Sequence, residues 1–167
     1  MDTTRLAKAT DAPLITELQL ANWHISHPEI AEFLDSREVQ DQWESAIKDQ
    51  GSRGRVLVCE RDLALVGVAA IEFEGQLGQL SLLEVTPTCR RQLIGSRLLN
   101  AVADIAGRAG ASSIYSWVAT ADTPAQEFLE STGFTHTGAT RTIGFQDGAS
   151  ELLSDQMYMS TNLDNRA

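Results

Sequence analysis

The chain has 167 residues, of which 43% are hydrophobic and 22% charged, and its length predicts a single domain over residues 1–167. Its formal net charge of −10 argues against nucleic acid as a partner, because phosphate binding requires a basic surface. No apolar run approaches the ~20 residues that span a bilayer, and the N-terminus lacks the apolar segment of a signal peptide. We therefore expect a cytoplasmic protein without a membrane partner.

The first half of the chain predicts one strand, two helices and a three-stranded meander. An alternating segment at 4–9 predicts the first strand, and a capping oxygen followed by proline at 10–13 begins a helix that runs to about His24. A capping-box pattern at 35–38 begins a second helix, which ends near Gly51. Apolar runs separated by turn residues then predict the meander strands at 55–60, 64–73 and 78–86.

The second half predicts a helix, a strand, a shorter helix and a terminal pair of strands. Their expected bounds are 95–109, 114–119, 123–132, 134–143 and 151–159. A turn at 146–148 joins the last two strands, and residues 160–167 are expected to form a frayed tail. The complete order is β-α-α-β-β-β-α-β-α-β-β, which predicts an α/β domain.

The segment between the third meander strand and the following helix has the features of an anion site. The strand stops at Pro87, Arg90 and Arg91 follow, and the helix begins at Gly95 with Arg97 in its first turn. The first backbone N–H groups of a helix lack internal partners, and the helix dipole adds about half a positive charge there. A pyrophosphate fits such a turn. An ordinary strand–turn–helix with solvated arginines is the alternative interpretation.

The spacing of this turn separates it from two well-known phosphate loops. No lysine follows the glycine, as a P-loop requires, and Gly95 alone cannot make a GxGxxG motif. Residues 90–95, RRQLIG, resemble instead the [Q/R]-x-x-G-x-[G/A] signature of the GNAT superfamily of acyl-CoA-dependent N-acyltransferases. The preceding Val85 and the following 96–99, SRLL, also match the family's pattern. Leu93 departs from it, because it stands where the signature has its first glycine.

The resemblance covers nearly the whole chain. Residues 117–134, WVATADTPAQEFLESTGF, are similar to a second family segment, W-V-x-x-x-N-x-x-A-x-x-F-Y-E-x-x-G-F. Trp23, residues 34–35 and Trp43 further resemble a bacterial subgroup of small acetyltransferases. The order of elements is that of the GNAT fold. The resemblance therefore implies a GNAT-type α/β fold with a mixed sheet (α+β), in which two parallel strands splay apart.

The resemblance implies acetyl-CoA as co-substrate, with its pantetheine arm in the splay. The main chains of Leu83 and Val85 are the expected partners of that arm. Asp122 falls on the family's usual asparagine and is expected among the cofactor-binding residues. The pyrophosphate is expected to contact the backbone N–H groups of Arg91, Gln92, Leu93, Ile94, Gly95 and Ser96, with Arg90 and Arg97 as charge partners.

The implied reaction is direct attack by a primary amine of a small molecule or peptide on the thioester. Glu84 is the first candidate for the base, because its side chain leaves the strand opposite Val85 and lies near the thioester along the chain. The alternative bases are Glu72, His27 and Tyr158. The family's tyrosine that protonates the leaving thiolate falls on Leu129, and Ser131 is a poor substitute. Leu129 and Leu93 together favour a second hypothesis, a non-catalytic acyl-CoA-binding sensor or scaffold.

The cysteines and histidines predict no metal site. The two cysteines and three histidines lack the spacing of metal ligands, and two cysteines do not form a disulfide framework. The expected partners are therefore acetyl-CoA and an amine acceptor. The sequence leaves a homodimer open.

Overall fold

A computed structural model describes residues 1–147 and 150–166 and contains one seven-stranded sheet flanked by five helices. The strands are β1 Asp2–Leu6, β2 Gly54–Arg61, β3 Ala64–Glu74, β4 Leu77–Val85, β5 Ser113–Ala119, β6 Thr135–Asp147 and β7 Ser150–Asn162. The helices are α1 Ala12–Ser26, α2 Pro28–Ala31, α3 Ser36–Lys48, α4 Ile94–Arg108 and α5 Thr123–Ser131. Short 3-10 turns cover Ala9–Asp11, Pro87–Cys89 and Leu163–Arg166.

The sheet has the strand order β1-β2-β3-β4-β5-β7-β6, and its only parallel neighbours in the described chain are β4 and β5. Helices cover both faces of its first half, so the central strands are apolar on both sides. Val58 and Val68 pack under α1 and α3, whereas Cys59 and Ala69 pack under α4. The result is two cores separated by the sheet: an α1 core, on the face covered by α1 and α3, and an α4 core, on the face covered by α4.

A β-bulge in β4 decides which side chains reach which face. Leu80 is opposite Ile71 and Leu82 is opposite Ala70, so Ser81 is an additional residue on β4. Because a one-residue insertion reverses the alternation of side chains, Leu80 packs in the α4 core and Leu82 in the α1 core. Residues beyond the bulge keep the new alternation, which places the Glu84 side chain on the α1 face.

The predicted order of elements and the mixed sheet are confirmed, with the short helix α2 added where a loop was expected. The predicted strand at 4–9 lies instead at Asp2–Leu6, because these residues pair along the whole of their length with β2. The second predicted helix ends at Lys48 rather than near Gly51. No helix in the described ranges is long and apolar enough to cross a bilayer.

The C-terminal part is more ordered than the sequence predicts. The expected frayed tail from residue 160 is wrong at its start, because β7 continues to Asn162 and pairs there with Ser113 of β5. Leu163 then donates its backbone N–H to the Ser112 carbonyl at 2.9 Å. The terminal strands are also longer than predicted. The turn expected at 146–148 includes Gly148, which lies outside the described residues.

Candidate active site

β4 and β5 pair for only three residues and then separate. Their parallel register runs from Leu77↔Ser113 to Gln79↔Tyr115. The Ser116 hydroxyl still reaches across to donate to the Leu80 carbonyl at 2.9 Å. Beyond this bridge the two strands run on to Val85 and Ala119 without a shared ladder. We call the space between these two strand ends the β4–β5 gap.

The backbone of β4 presents polar groups to this gap. Thr86 donates its N–H to the Val66 carbonyl, so the polar groups of Thr86 point toward β3. Backbone groups alternate between the two edges of a strand, and those of Leu83 and Val85 therefore point away from β3, toward the gap. The sequence-predicted pantetheine partners thus lie at the gap's edge.

The turn that leads into α4 has an unusual backbone for its sequence. Arg91 and Leu93 adopt left-handed conformations, with φ of 59° and 66°, which favour glycine over L-residues. Leu93 has the conformation that explains why the family signature has glycine at this position. The first intrahelical bond runs from Arg97 N–H to the Leu93 carbonyl at 2.9 Å. The N–H groups of Ile94, Gly95 and Ser96 therefore precede the helical ladder and have no acceptor within it.

Gly95 brings this turn into contact with α5. A Cβ atom at position 95 would lie 3.3 Å from Cζ of Phe128, closer than most Cβ contacts. The glycine thus allows the first turn of α4 to pack directly on the aromatic ring. This turn, residues 90–97, is called the cationic turn below. Together with α5 it forms one wall of the gap's open end.

The arginines of the turn differ in their partners. Arg97 Nη1 lies 3.3 Å from Asp2 Oδ2, and Asp2 is also bound by Arg61. Arg61 in turn hydrogen-bonds the side-chain oxygen of Gln92. Arg97 and Gln92 are therefore tied to a surface ion cluster.

Arg90 is bonded differently, since its Nε donates to the Val85 carbonyl at 3.4 Å. No carboxylate in the described ranges lies within salt-bridge distance of Arg90 or Arg91. Both side chains are exposed. Of the three predicted cations, Arg90 and Arg91 are thus the two whose charge no carboxylate described here neutralises.

On the α1 face of the gap, Glu84 is held by two consecutive residues of α1. Asn22 Nδ2 donates to Glu84 Oε2 at 2.8 Å, and Trp23 Nε1 donates to Glu84 Oε1 at 2.8 Å. Burial raises the pKa of Glu84, and the two hydrogen bonds oppose that rise in part. Asn22 uses its second amide hydrogen on the Val85 carbonyl at 3.0 Å. The carboxylate is therefore oriented beside the gap edge.

A histidine–aspartate pair joins the two sides of the gap. His27 Nε2 lies 3.3 Å from Asp122 Oδ2, and Asp122 Oδ1 accepts the Ala125 N–H at 3.2 Å as the N-cap of α5. The His27 and Trp23 rings also make a T-shaped contact, with ring centroids 5.5 Å apart. The hydrogen bond to Asp122 raises the pKa of His27, and the same bond lowers the pKa of Asp122. Asp122 thus faces a histidine that the sequence could not assign to it.

The family model described as "Acetyltransferase (GNAT) family" matches residues 15–134, a span that includes most of α1, the gap, the cationic turn and α5. The chain belongs to the GNAT acetyltransferase family. No curated protein sequence matches it.

Solved GNAT structures share the fold over nearly the whole chain. PaiA N-acetyltransferase from Thermoplasma acidophilum, solved in complex with coenzyme A, has a TM-score of 0.77 at 16% identity, covering 97% of this chain and 99% of its own. The ribosomal-protein-S18-alanine N-acetyltransferase of Escherichia coli has a TM-score of 0.71 at 20% identity, covering 98% of this chain and 94% of its own. The yncA protein of Salmonella typhimurium, solved with its cofactor acetyl-CoA, has a TM-score of 0.72 at 22% identity, covering 100% of this chain and 96% of its own. At these identities the similarity establishes the GNAT fold alone.

The three alternative bases, which the sequence also offered, lie in different places relative to the β4–β5 gap. Glu72 is exposed on β3 and is opposite Gln79, on the paired part of β4, so it lies apart from Glu84. Tyr158 stacks on Tyr115 with centroids 4.8 Å apart. His27 is the one that contacts the Glu84 site, through Trp23.

An aromatic surface extends the Glu84 face beyond the gap. The ring of Trp117 contacts Tyr158 edge-on, and the Arg141 guanidinium lies 4.4 Å from the centroid of Trp117. Ile114 and Val118 of the same strand point into the α4 core, so Trp117 lies on the face shared with Glu84. The aromatic side chain of Trp117 is therefore on the same side of the sheet as Glu84.

The position of the family tyrosine is apolar here. Leu129 is 5% exposed and packs in the α4 core, in the same cluster as Val118 and Phe134. Among residues 1–147 and 150–166, no group of three or more His, Cys, Asp or Glu side chains is arranged to hold a metal ion. Asn22 and Trp23 are the site residues that sequence reasoning missed in this role. The resemblance to a bacterial subgroup singles out Trp23 without giving it a role, and no sequence signal points to Asn22.

Proposed function

We propose that this protein transfers an acetyl group from acetyl-CoA to a primary amine of a small molecule or peptide. The observation that carries the proposal is the β4–β5 gap, which opens between a cationic turn and a half-buried, oriented carboxylate. The turn suits the anionic end of acetyl-CoA, and the carboxylate suits the amine. The proposal retains the sequence-based expectation of a single catalytic domain in the cytoplasm.

The residues around the gap fit acetyl-CoA. The N–H groups of Ile94, Gly95 and Ser96, with Arg90 and Arg91, would bind the pyrophosphate. The gap-facing backbone of Leu83 and Val85 would hydrogen-bond the pantetheine amides in the manner of a neighbouring strand. Coenzyme A and acetyl-CoA accompany two solved proteins of the same fold, which supports this choice of co-substrate.

Glu84 is the proposed general base. It accepts a proton from the acceptor ammonium, and the resulting amine attacks the thioester carbonyl. The carbon–nitrogen bond forms, the carbon–sulfur bond breaks, and the proton that the nitrogen loses as it becomes an amide passes through water to the leaving thiolate. Because Asn22 and Trp23 fix both carboxylate oxygens, the base loses little conformational freedom when the acceptor binds.

A second candidate function rests on Leu129. Its apolar side chain cannot protonate a leaving thiolate, which favours a protein that binds acyl-CoA as a sensor or scaffold without turnover. This alternative retains the cationic turn and the gap. It gives no role to the ordered carboxylate of Glu84.

A thiol-release screen separates the two functions. Acetyl-CoA is incubated with the protein and a panel of polyamines, amino acids, aminoglycosides and peptides, and acetylated products are identified by mass spectrometry. The transferase predicts amine-dependent release of coenzyme A together with an acetylated amine. Saturable binding of acetyl-CoA without release in any reaction of the panel supports the sensor.

A further inference from the structure

In the described part of the chain, only the NH₂ half of the Asn22 side-chain amide has hydrogen-bond partners. Asn22 is 1% exposed on the inner face of α1. Its Nδ2 donates to Glu84 Oε2 and to the Val85 carbonyl, at 2.8 and 3.0 Å. Both partners are acceptors, so the NH₂ group must face them and the amide orientation is decided. Its Oδ1 is then left buried without a hydrogen-bond partner in the described part of the chain.

A buried acceptor without a partner destabilises the folded protein, and such groups in native proteins call for an explanation. Leucine at position 22 would fill similar space without this penalty. Asn22 instead couples two parts of the site, because one NH₂ group holds the base and the gap-facing carbonyl together. Its spare oxygen belongs to the same amide group, two bonds from that nitrogen.

The side-chain atoms of Glu84 and Asn22 that keep unused hydrogen-bonding capacity are all acceptors. The carboxylate oxygens of Glu84 keep unused lone pairs, and Asn22 Oδ1 has both of its own. The nearby donors, Asn22 Nδ2 and Trp23 Nε1, are already occupied. A ligand group that matches these acceptors brings several N–H donors, and as a cation it would share the Glu84 carboxylate with the nearby charges of His27 and Arg90. A primary ammonium has three such donors, whereas a tertiary ammonium or a hydroxyl has one.

We propose that Asn22 recognises the acceptor: its Oδ1 accepts an N–H of the primary ammonium while its Nδ2 holds Glu84 ready for the proton. The inference rests on the proposed acetyl transfer and adds a residue that selects the acceptor. Asn22 thereby determines specificity through Oδ1 and positions the base through Nδ2. The orphaned oxygen gains its missing partner only when the amine is bound.

The test compares a primary amine from the screen with its N-methyl and N,N-dimethyl derivatives. For each we measure the dissociation constant with the wild type, Asn22→Ala and Asn22→Asp, because a tertiary amine has no N–H to lose and cannot be acetylated whatever the site recognises. The dissociation constant of acetyl-CoA is measured by calorimetry in parallel. Gln19→Ala is the matched control. Gln19 is also a buried polar residue of α1, but its Oε1 accepts from Trp43 Nε1 at 2.8 Å, away from the Glu84 site.

The wild type is expected to favour the primary amine over the dimethyl derivative. Asn22→Ala should reduce that preference roughly tenfold or more, the scale of one hydrogen bond to a charged group, with the affinity for acetyl-CoA unchanged. Asn22→Asp keeps an acceptor oxygen and should keep the preference. Its second carboxylate raises the pKa of Glu84, so the acid limb of its pH–rate profile should move to higher pH.

Two results overturn the assignment while acetyl transfer stands. One is an unchanged preference in Asn22→Ala together with weaker acetyl-CoA binding, which would show that Oδ1 accepts a hydrogen bond from a pantetheine amide instead. The other is a wild type that treats primary and dimethylated amines alike, a result that needs no variant to fold. A wild type that binds acetyl-CoA but acetylates no amine overturns the proposed function and this inference together.

Discussion

His27 Nε2 lies 3.3 Å from Asp122 Oδ2, and this single contact ties the C-terminal end of α1 to the N-cap of α5 across the open end of the β4–β5 gap. Both side chains are largely buried. The pair completes a chain of contacts that runs from Glu84 through Trp23 and His27 to Asp122 at the start of α5. Each half of the site is therefore sensitive to the protonation of His27.

The stability of the protein should follow the charge of this pair. The pKa of His27 is raised above 6.5, so its contribution is complete below pH 6.5 and is lost as the pH rises through the folded value. The pKa of Asp122 is lowered below 3.8, so its contribution is present above pH 3.8 and is lost as the pH falls through the folded value. His27→Gln should therefore cost about 1 kcal/mol within this window and much less at higher pH. Urea unfolding across the pH range measures the difference.

The matched control is His24→Gln, which removes an exposed histidine one turn earlier on the same helix. It leaves the His27–Asp122 contact in place, so the stability that this contact contributes should remain. Equal curves for His27→Gln and His24→Gln would show that the His27–Asp122 contact contributes nothing in solution.

Leu93→Gly should stabilise the fold and tighten acetyl-CoA binding. Leu93 has φ of 66° and is 67% exposed, so glycine relieves a left-handed strain and gives up little packing. The strain of about 1–2 kcal/mol outweighs the extra chain entropy of glycine, for a net gain of about 0.5–1 kcal/mol. Without the side chain, the backbone can also approach the phosphates more closely. Chemical unfolding and calorimetry measure the two effects.

Leu93→Ala is the control, because it removes the same side chain but keeps the strain. It should leave the free energy of unfolding nearly unchanged. It should improve the affinity for acetyl-CoA only if the bulk of the leucine side chain obstructs the phosphates. A Leu93→Gly protein that is less stable than Leu93→Ala would contradict the left-handed conformation.

Arg90→Gln and Arg91→Gln should each weaken acetyl-CoA binding by roughly tenfold, the scale of one charge-assisted hydrogen bond. The loss should shrink at high salt because both side chains are exposed. Arg97→Gln should have a smaller effect, since Arg97 is already paired with Asp2. Arg37→Gln on α3 is the control and should bind normally. Three equal losses from Arg90, Arg91 and Arg97 would contradict this division of the turn.

The order of elements could be predicted because it depends on local patterns. Alternating apolar residues, capping residues and the glycine after α4 act within a few positions of each other. The cationic turn at 90–97 was predictable for the same reason. The left-handed backbone at Leu93 also has a sequence signal, since the family signature places glycine there.

The contacts within the site could not be predicted in this way. Asn22 and Glu84 are 62 residues apart in sequence, and only the packing of α1 on β4 brings them together. The bulge at Ser81 is equally hidden, because one inserted residue leaves the apolar pattern of β4 readable in either alternation. His27 and Asp122 meet only once both faces of the gap are assembled. Their pairing is a tertiary property.

The most direct test of the central claim is the rate of amine acetylation by Glu84→Gln at saturating acetyl-CoA, measured beside the wild type. Glutamine keeps the size of the side chain but cannot accept the proton, so we expect a loss of about 10²–10⁴-fold with the dissociation constant of acetyl-CoA unchanged. The wild-type rate should fall at low pH, through a pKa of Glu84 raised above 4.5, and that limb should vanish in the variant. A Glu84→Gln protein that acetylates at the wild-type rate would contradict the account.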